Sequence, residues 1–223
     1  MIYPDFYKDN KEMREKQVHI LKDIHYYLFG SAFTDAMIGT FKIYQIKVSP
    51  ELRMLEAGCG HGKFVYFWSQ FGCKCWGVDI DPKQIDFCRK ISDICDKIVG
   101  IRGYYAFSEE DIRELPYEDG SFDVVFNEGV LEHFDKKTQM IILREMVRVS
   151  KNLVMVFVPD AENKEAVDFA KKTKHYGYEG KGGMGLKEKP IKSTQLTKML
   201  KETGLKNIKY SKVKSYILGV GQK

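Results

Sequence analysis

The 223-residue chain predicts a Rossmann-like, doubly wound α/β fold: a mostly parallel, seven-stranded sheet with an N-terminal helical cap. Three observations predict it. From residue 52 onward, short apolar runs alternate with amphipathic stretches, the order that builds parallel sheets. A glycine cluster follows the first of these runs and opens a helix. The run Leu153–Val158 is apolar at every position, as in a strand covered on both faces.

The elements follow in order. Residues 8–29 read as one or two helices, with Val18, Leu21, Ile24, Tyr27 and Leu28 at helical spacing. A second short helix is expected near 34–46, and Pro50 ends the cap. Leu52–Glu56 reads as a buried strand and 63–71 as the helix after the glycines. Lys74–Asp79 is the second strand, and Pro82 suits the first turn of a helix running toward Asp93. Tyr104–Phe107 and Asp123–Asn127 are the third and fourth strands, the latter preceded by a turn at Glu118-Asp119-Gly120. Lys136–Val149 carries Ile141, Ile142, Met146 and Val149 on one helical face. Ser150-Lys151-Asn152 reads as a tight turn before the fifth strand. Ser193 is expected to cap a helix ending at Glu202, with Gly204 as its stop. Ile208–Tyr210 and Ser215–Val220 close the sheet as an antiparallel hairpin. The length suits a single core. Residues 1–49 form the cap, part of the same domain, and 50–223 the main body, interrupted by a polar, glycine-bearing insertion at 160–192, a length that marks a functional loop or a disordered one.

Composition excludes several classes. Hydrophobic content of 43% and charged content of 30% are those of a globular chain. No apolar run approaches a membrane span, and the first 25 residues hold no apolar signal core. A cytoplasmic protein without membrane contact is the expectation. The five cysteines form no C-x-x-C pair and read as reduced thiols. The net charge of +5 is uneven: residues 164–223 hold 15 lysines, no arginine and 5 acids. Such a surface suits either plain solvation or a phosphate-bearing partner.

Chemistry concentrates at Leu55-Glu56-Ala57-Gly58-Cys59-Gly60-His61-Gly62. Glycines permit a tight turn and close approach of backbone N–H groups to a ligand. The spacing is G-x-G-x-G rather than the G-x-G-x-x-G of dinucleotide sites. The second strand ends Gly77-Val78-Asp79, and a carboxylate there accepts hydrogen bonds from ribose hydroxyls. Loop and acid together indicate a cofactor containing adenosine. Asp81 is a rival for the ribose.

These stretches, with Leu115–Val125, Val130-Leu131-Glu132-His133 and Arg144–Val149, resemble the class I S-adenosylmethionine-dependent methyltransferases. They are similar to the type-11 branch, which includes ubiquinone- and menaquinone-biosynthesis-like enzymes. The resemblance implies S-adenosylmethionine as cofactor. It implies that Glu56, Gly58, Cys59 and Gly60 hold the methionine end, that Asp79 takes the ribose and that Ile80 packs on the adenine. It further implies that Glu110, Asp111 and Ile112 contact the adenine edge and that Asn127 ends the fourth strand beside the sulfonium.

Methyl transfer from a sulfonium needs alignment more than activation. His133 is the candidate general base, where the acceptor requires one; the alternative is a structural role, capping the next helix or touching the cofactor. Some relatives bind a divalent metal through E-x-x-E-H. Here Gly129 replaces the first Glu and Glu128 stands one residue early, so no metal is expected. No D/N-P-P-Y/F loop and no Pro-Cys pair occur. Aromatics of the cap and insertion, Tyr26, Tyr27, His175, Tyr176 and Tyr178, are expected to form a lid over the acceptor. A small-molecule acceptor is the leading expectation. RNA or protein docked on the lysine-rich third is the alternative, and a non-catalytic cofactor-binding module is a third reading. The sequence fixes no oligomeric state.

Overall fold

The computed structural model describes residues 31–100, 103–172 and 189–223. Within them the chain forms α1 (Ala32–Ile43), β1 (Arg53–Ala57), α2 (Lys63–Ser69), β2 (Lys74–Asp79), α3 (Pro82–Val99), β3 (Tyr105–Glu109) and β4 (Phe122–Glu128). A 3-10 turn at Leu131–His133 leads into α4 (Lys136–Val149) and β5 (Ser150–Pro159). Then come α5 (Lys164–Lys172), α6 (Ser193–Glu202), β6 (Lys206–Val213) and β7 (Tyr216–Gln222).

The seven strands lie in the order β3-β2-β1-β4-β5-β7-β6. The first five are parallel, and β7 runs antiparallel to both β5 and β6. The chain winds outward from β1 to β3, then returns to place β4 on the other side of β1. That reversal opens a crevice at the carboxyl ends of β1 and β4, where open sheets bind ligands.

Each face of the sheet carries its own core. Met54, Val124, Phe126, Met155 and Phe157 pack beneath α1, α2 and the start of α3. Leu55, Val125, Val154 and Val156 pack beneath α4 and α6. Alternation along each strand divides the two sets. Glycines admit α6 onto β7: a Cβ on Gly219 would lie 2.7 Å from Leu196. Arg148 ties α4 to the loop between β3 and β4, donating to the Tyr117 and Leu115 carbonyls, while Glu145 accepts the Leu115 N–H.

Several expectations change. The first helix of the cap, at 8–29, lies outside the described residues. Helix α3 runs on to Val99 and stops at Gly100 in the left-handed region, φ +75°. Ser150–Asn152 is no turn: β5 starts directly at the end of α4, with a register shift against β4 between Phe122 and Val124. Ser193 is not the cap. Ile191 bridges Asp160 in parallel, so Lys192 becomes the half-helical residue and its side chain makes no capping bond. Part of the insertion is helical: α5 starts beyond Asn163, whose side chain accepts the Ala166 N–H. Its buried face is only Ala166 and Ala170, too little apolar volume to stand out in the sequence. No helix among the described residues is long and apolar enough to cross a membrane.

Candidate active site

Strand β1 delivers the glycine loop to the crevice. Gly58 takes φ +80°, and the N–H groups of Gly58 and Cys59 both donate to the Val78 carbonyl at 2.8 Å. The loop is thereby hung on the end of β2. Gly58 is glycine for space as well as angle, since a Cβ there would lie 2.7 Å from Val130. Gly60 is different: φ is +48°, yet nothing stands within 4 Å of where its Cβ would be. Its outer face is open.

Asp79 is only 6% exposed. Its carboxylate accepts the Gly60 N–H at 2.9 Å and the Asp81 N–H at 3.0 Å. Burial pushes its pKa up, and these backbone donors pull the other way without cancelling it. Each carboxylate oxygen keeps a second lone pair. Asp81, the rival, is spent as the N-cap of α3, accepting the Lys83 N–H at 2.9 Å. Ile80 is half-buried between them.

Glu56 lies on the same side of the sheet as Met54, 2% exposed, and its Oε2 has no hydrogen bond. Burial raises its pKa well above the ordinary carboxylate value, against the nearby Lys63 charge and the Val65 N–H. Cys59 is buried, and its thiol is raised by a hydrogen bond with Cys88 and by burial. Cys88 in turn bonds the Gly60 carbonyl at 3.0 Å. All five thiols are buried and free.

The structure brings the third strand's end to Asp79: the Glu110 N–H donates to the Asp79 carbonyl at 3.0 Å. Ile112 is buried, whereas the Asp111 carboxylate is engaged by the Arg113 guanidinium, whose hydrogen bonds lower its pKa. Asn127 does not end the fourth strand; Glu128 does. Asn127 is fully buried on the α4 side, its Nδ2 on Met146 Sδ at 3.4 Å and its Oδ1 without a partner. Glu128 faces the other way and pairs with Lys63 at 3.5 Å.

His133 is half-exposed on the 3-10 turn. It does not cap α4; that cap is Asp135, which accepts the Thr138 N–H. Glu132 beside it is 2% exposed, and its carbonyl accepts the Lys189 N–H, tying the insertion's return arm to this turn. Among the described residues no group of three His, Cys, Asp or Glu stands ready to hold a metal. The lid residues Tyr26, Tyr27, His175, Tyr176 and Tyr178 lie outside the described residues.

Sequence reading missed three contacts. Val130 packs on Gly58. Lys63 and Glu128 pair beside Glu56. An aromatic group joins Phe33 of α1 to Phe157 and Tyr216, with ring centres 5.3 and 5.1 Å apart. Val130, two residues before Glu132, and Glu128 fell in quoted motifs; the contacts themselves depend on strand register and helix docking.

Residues 55–158 match the family model described as a methyltransferase domain, in keeping with the type-11 resemblance. Norajmaline N-methyltransferase of Rauvolfia serpentina is 33% identical over 109 residues, 48% of this chain and 35% of that protein. Glycine/sarcosine/dimethylglycine N-methyltransferase of Actinopolyspora halophila is 25% identical over 209 residues, 87% of this chain and 34% of that protein. The chain thus spans about a third of the length of the curated relatives it matches. Among solved structures, magnesium protoporphyrin IX methyltransferase from Synechocystis PCC 6803 with bound SAH overlays with a TM-score of 0.62 at 15% identity, covering 96% of this chain and 87% of that one. At that identity the likeness is one of fold.

Proposed function

We propose that this chain is a type-11, class I S-adenosylmethionine-dependent methyltransferase acting on a small molecule in the cytoplasm. The observation that carries the reading is the pairing of an open glycine loop with two buried carboxylates. Glu56 offers an unbonded oxygen where a ligand ammonium would relieve the burial of its charge. Asp79 keeps lone pairs for ribose hydroxyls, and the open face of Gly60 leaves room for a ligand against the backbone. The residues therefore fit the cofactor.

When bound, the group supplies a methyl on a positively charged sulfur. The chain's own work is to bind and align. Glu56 holds the methionine ammonium, Asp79 holds the ribose, and Ile80 and Ile112 bound the adenine with Glu110 at its edge. Gly58 and Cys59 fix the loop through Val78. His133 accepts the acceptor's proton where the acceptor carries one of high pKa. The cap and the insertion at 160–192 supply the acceptor side. Phe33 of the cap already packs on Phe157 and Tyr216, and the insertion starts from Asp160 at the end of β5. The match to small-molecule methyltransferases supports that choice of acceptor.

The test is incubation of the protein and methyl-labelled cofactor with a fractionated lysate. Label in the small-molecule pool is expected. Label confined to RNA or protein would overturn the acceptor class, and no transfer to any fraction would favour a non-catalytic binding module.

A further inference from the structure

Lys63 stands where a lysine is least welcome. It is the first residue of α2, and the positive end of a helix disfavours a cation. Two carboxylates share its side of the sheet. Glu56 lies in register with Phe126, and Glu128 is two residues further along β4 on the same face. The Lys63 Nζ takes Glu128, at 3.5 Å, and rests 4.9 Å from the centre of the Phe64 ring. Glu56 is left with an unbonded Oε2, although Lys63 is the strongest charge acting on it.

We propose that Glu128 is a positioning residue that holds the Lys63 ammonium away from Glu56, keeping that buried carboxylate available to the ammonium of the cofactor's methionine end. The inference rests on the cofactor assignment above. The choice of partner follows from solvation. The Glu128 side chain is 17% exposed and Lys63 31%, so their pair keeps part of its water. A Lys63–Glu56 pair would strip both charges more completely, a cost that such a pair recovers only with further hydrogen bonds. Two acids around one lysine also leave the pocket a net negative charge, which a second cation neutralises.

The experiment is calorimetric titration of the full chain with two ligands. S-adenosylhomocysteine carries the ammonium; 5′-methylthioadenosine lacks the amino-acid end. In Glu128→Gln, Lys63 is released to Glu56, and the ligand ammonium must displace it. Affinity for S-adenosylhomocysteine is expected to fall about tenfold, the weight of one hydrogen bond between charged groups, with methylthioadenosine unchanged. Adding Lys63→Met to that variant is expected to restore S-adenosylhomocysteine binding. Unchanged S-adenosylhomocysteine affinity in Glu128→Gln overturns the proposal. So does an equal loss for both ligands, which would mark a structural effect. A loss that persists in the double variant also overturns it, assigning Lys63 to the ligand's carboxylate instead. A wild-type chain that binds neither ligand overturns the cofactor reading itself, and the inference with it.

Discussion

At Glu56 the fold buries a carboxylate without bonding one of its oxygens, and the cost shows in its titration. Its folded pKa is raised, chiefly by burial. The group therefore favours the folded state fully at pH below its ordinary carboxylate value. That contribution is lost as pH rises through the elevated folded value. The ligand-free protein is expected to lose stability across this window, from about pH 4.5 upward, and Glu56→Gln is expected to flatten the loss. Chemical denaturation at a series of pH values reads it; identical slopes in the two proteins would contradict the burial argument. Asp79→Ala is expected to weaken S-adenosylhomocysteine binding by about 1.5–3 kcal/mol, as for hydrogen bonds to a charged group. A smaller loss would return the ribose to another residue, although Asp81 is already occupied as a helix cap. The placement of Asp79 and Gly58 at the crevice was legible because it is local: a loop, a strand end and the sequence distance between them. The Lys63–Glu128 pair was not, because it depends on how β4 registers against β1.

Strands show why a single position matters. Placing the end of β4 at Asn127 gave the crevice an amide; extending it by one residue gives it Glu128 and sends Asn127 into the α4 core. Alternation makes such a slip a change of face. Helix α5 was missed for want of apolar volume. Lys192 displaced Ser193 as cap because the tertiary bridge from Asp160 to Ile191 fixes where the helix starts. By contrast α4 and β2 were read with the bounds they have, since periodicity, Asp135 and the end at Asp79 agree. The Leu115–Val125 stretch, quoted in part as a resemblance, has a mechanical basis in Arg148, which bonds two of its carbonyls and Asp119. Arg148→Met is expected to cost about 2 kcal/mol, since it removes charge-assisted bonds and leaves carbonyls unmet. Urea titration measures it, and a change under about 0.5 kcal/mol, typical of surface substitutions, would show the loop to be held otherwise.

Across the whole molecule, charge and function part company. Lysines crowd the outer strand: Lys206, Lys209 and Lys212 are exposed along β6, whose far side pairs with nothing among the described residues. Lysine on an edge strand discourages pairing with another sheet. That duty accounts for these residues without a polyanion. Binding to single-stranded RNA, followed by fluorescence anisotropy at about 0.15 M salt, is expected to be undetectable. Tight binding that falls steeply with added salt would instead make this edge a docking surface. On the function proposed above, the crevice between β1 and β4 holds S-adenosylmethionine against the glycine loop. Calorimetric titration of wild type and Gly58→Val with that cofactor tests it most directly, because a Cβ at Gly58 lies 2.7 Å from Val130 and strains a left-handed backbone. One site per wild-type chain is expected, with no measurable binding in a folded Gly58→Val. Equal affinity in the two, or no binding by wild type, would contradict it.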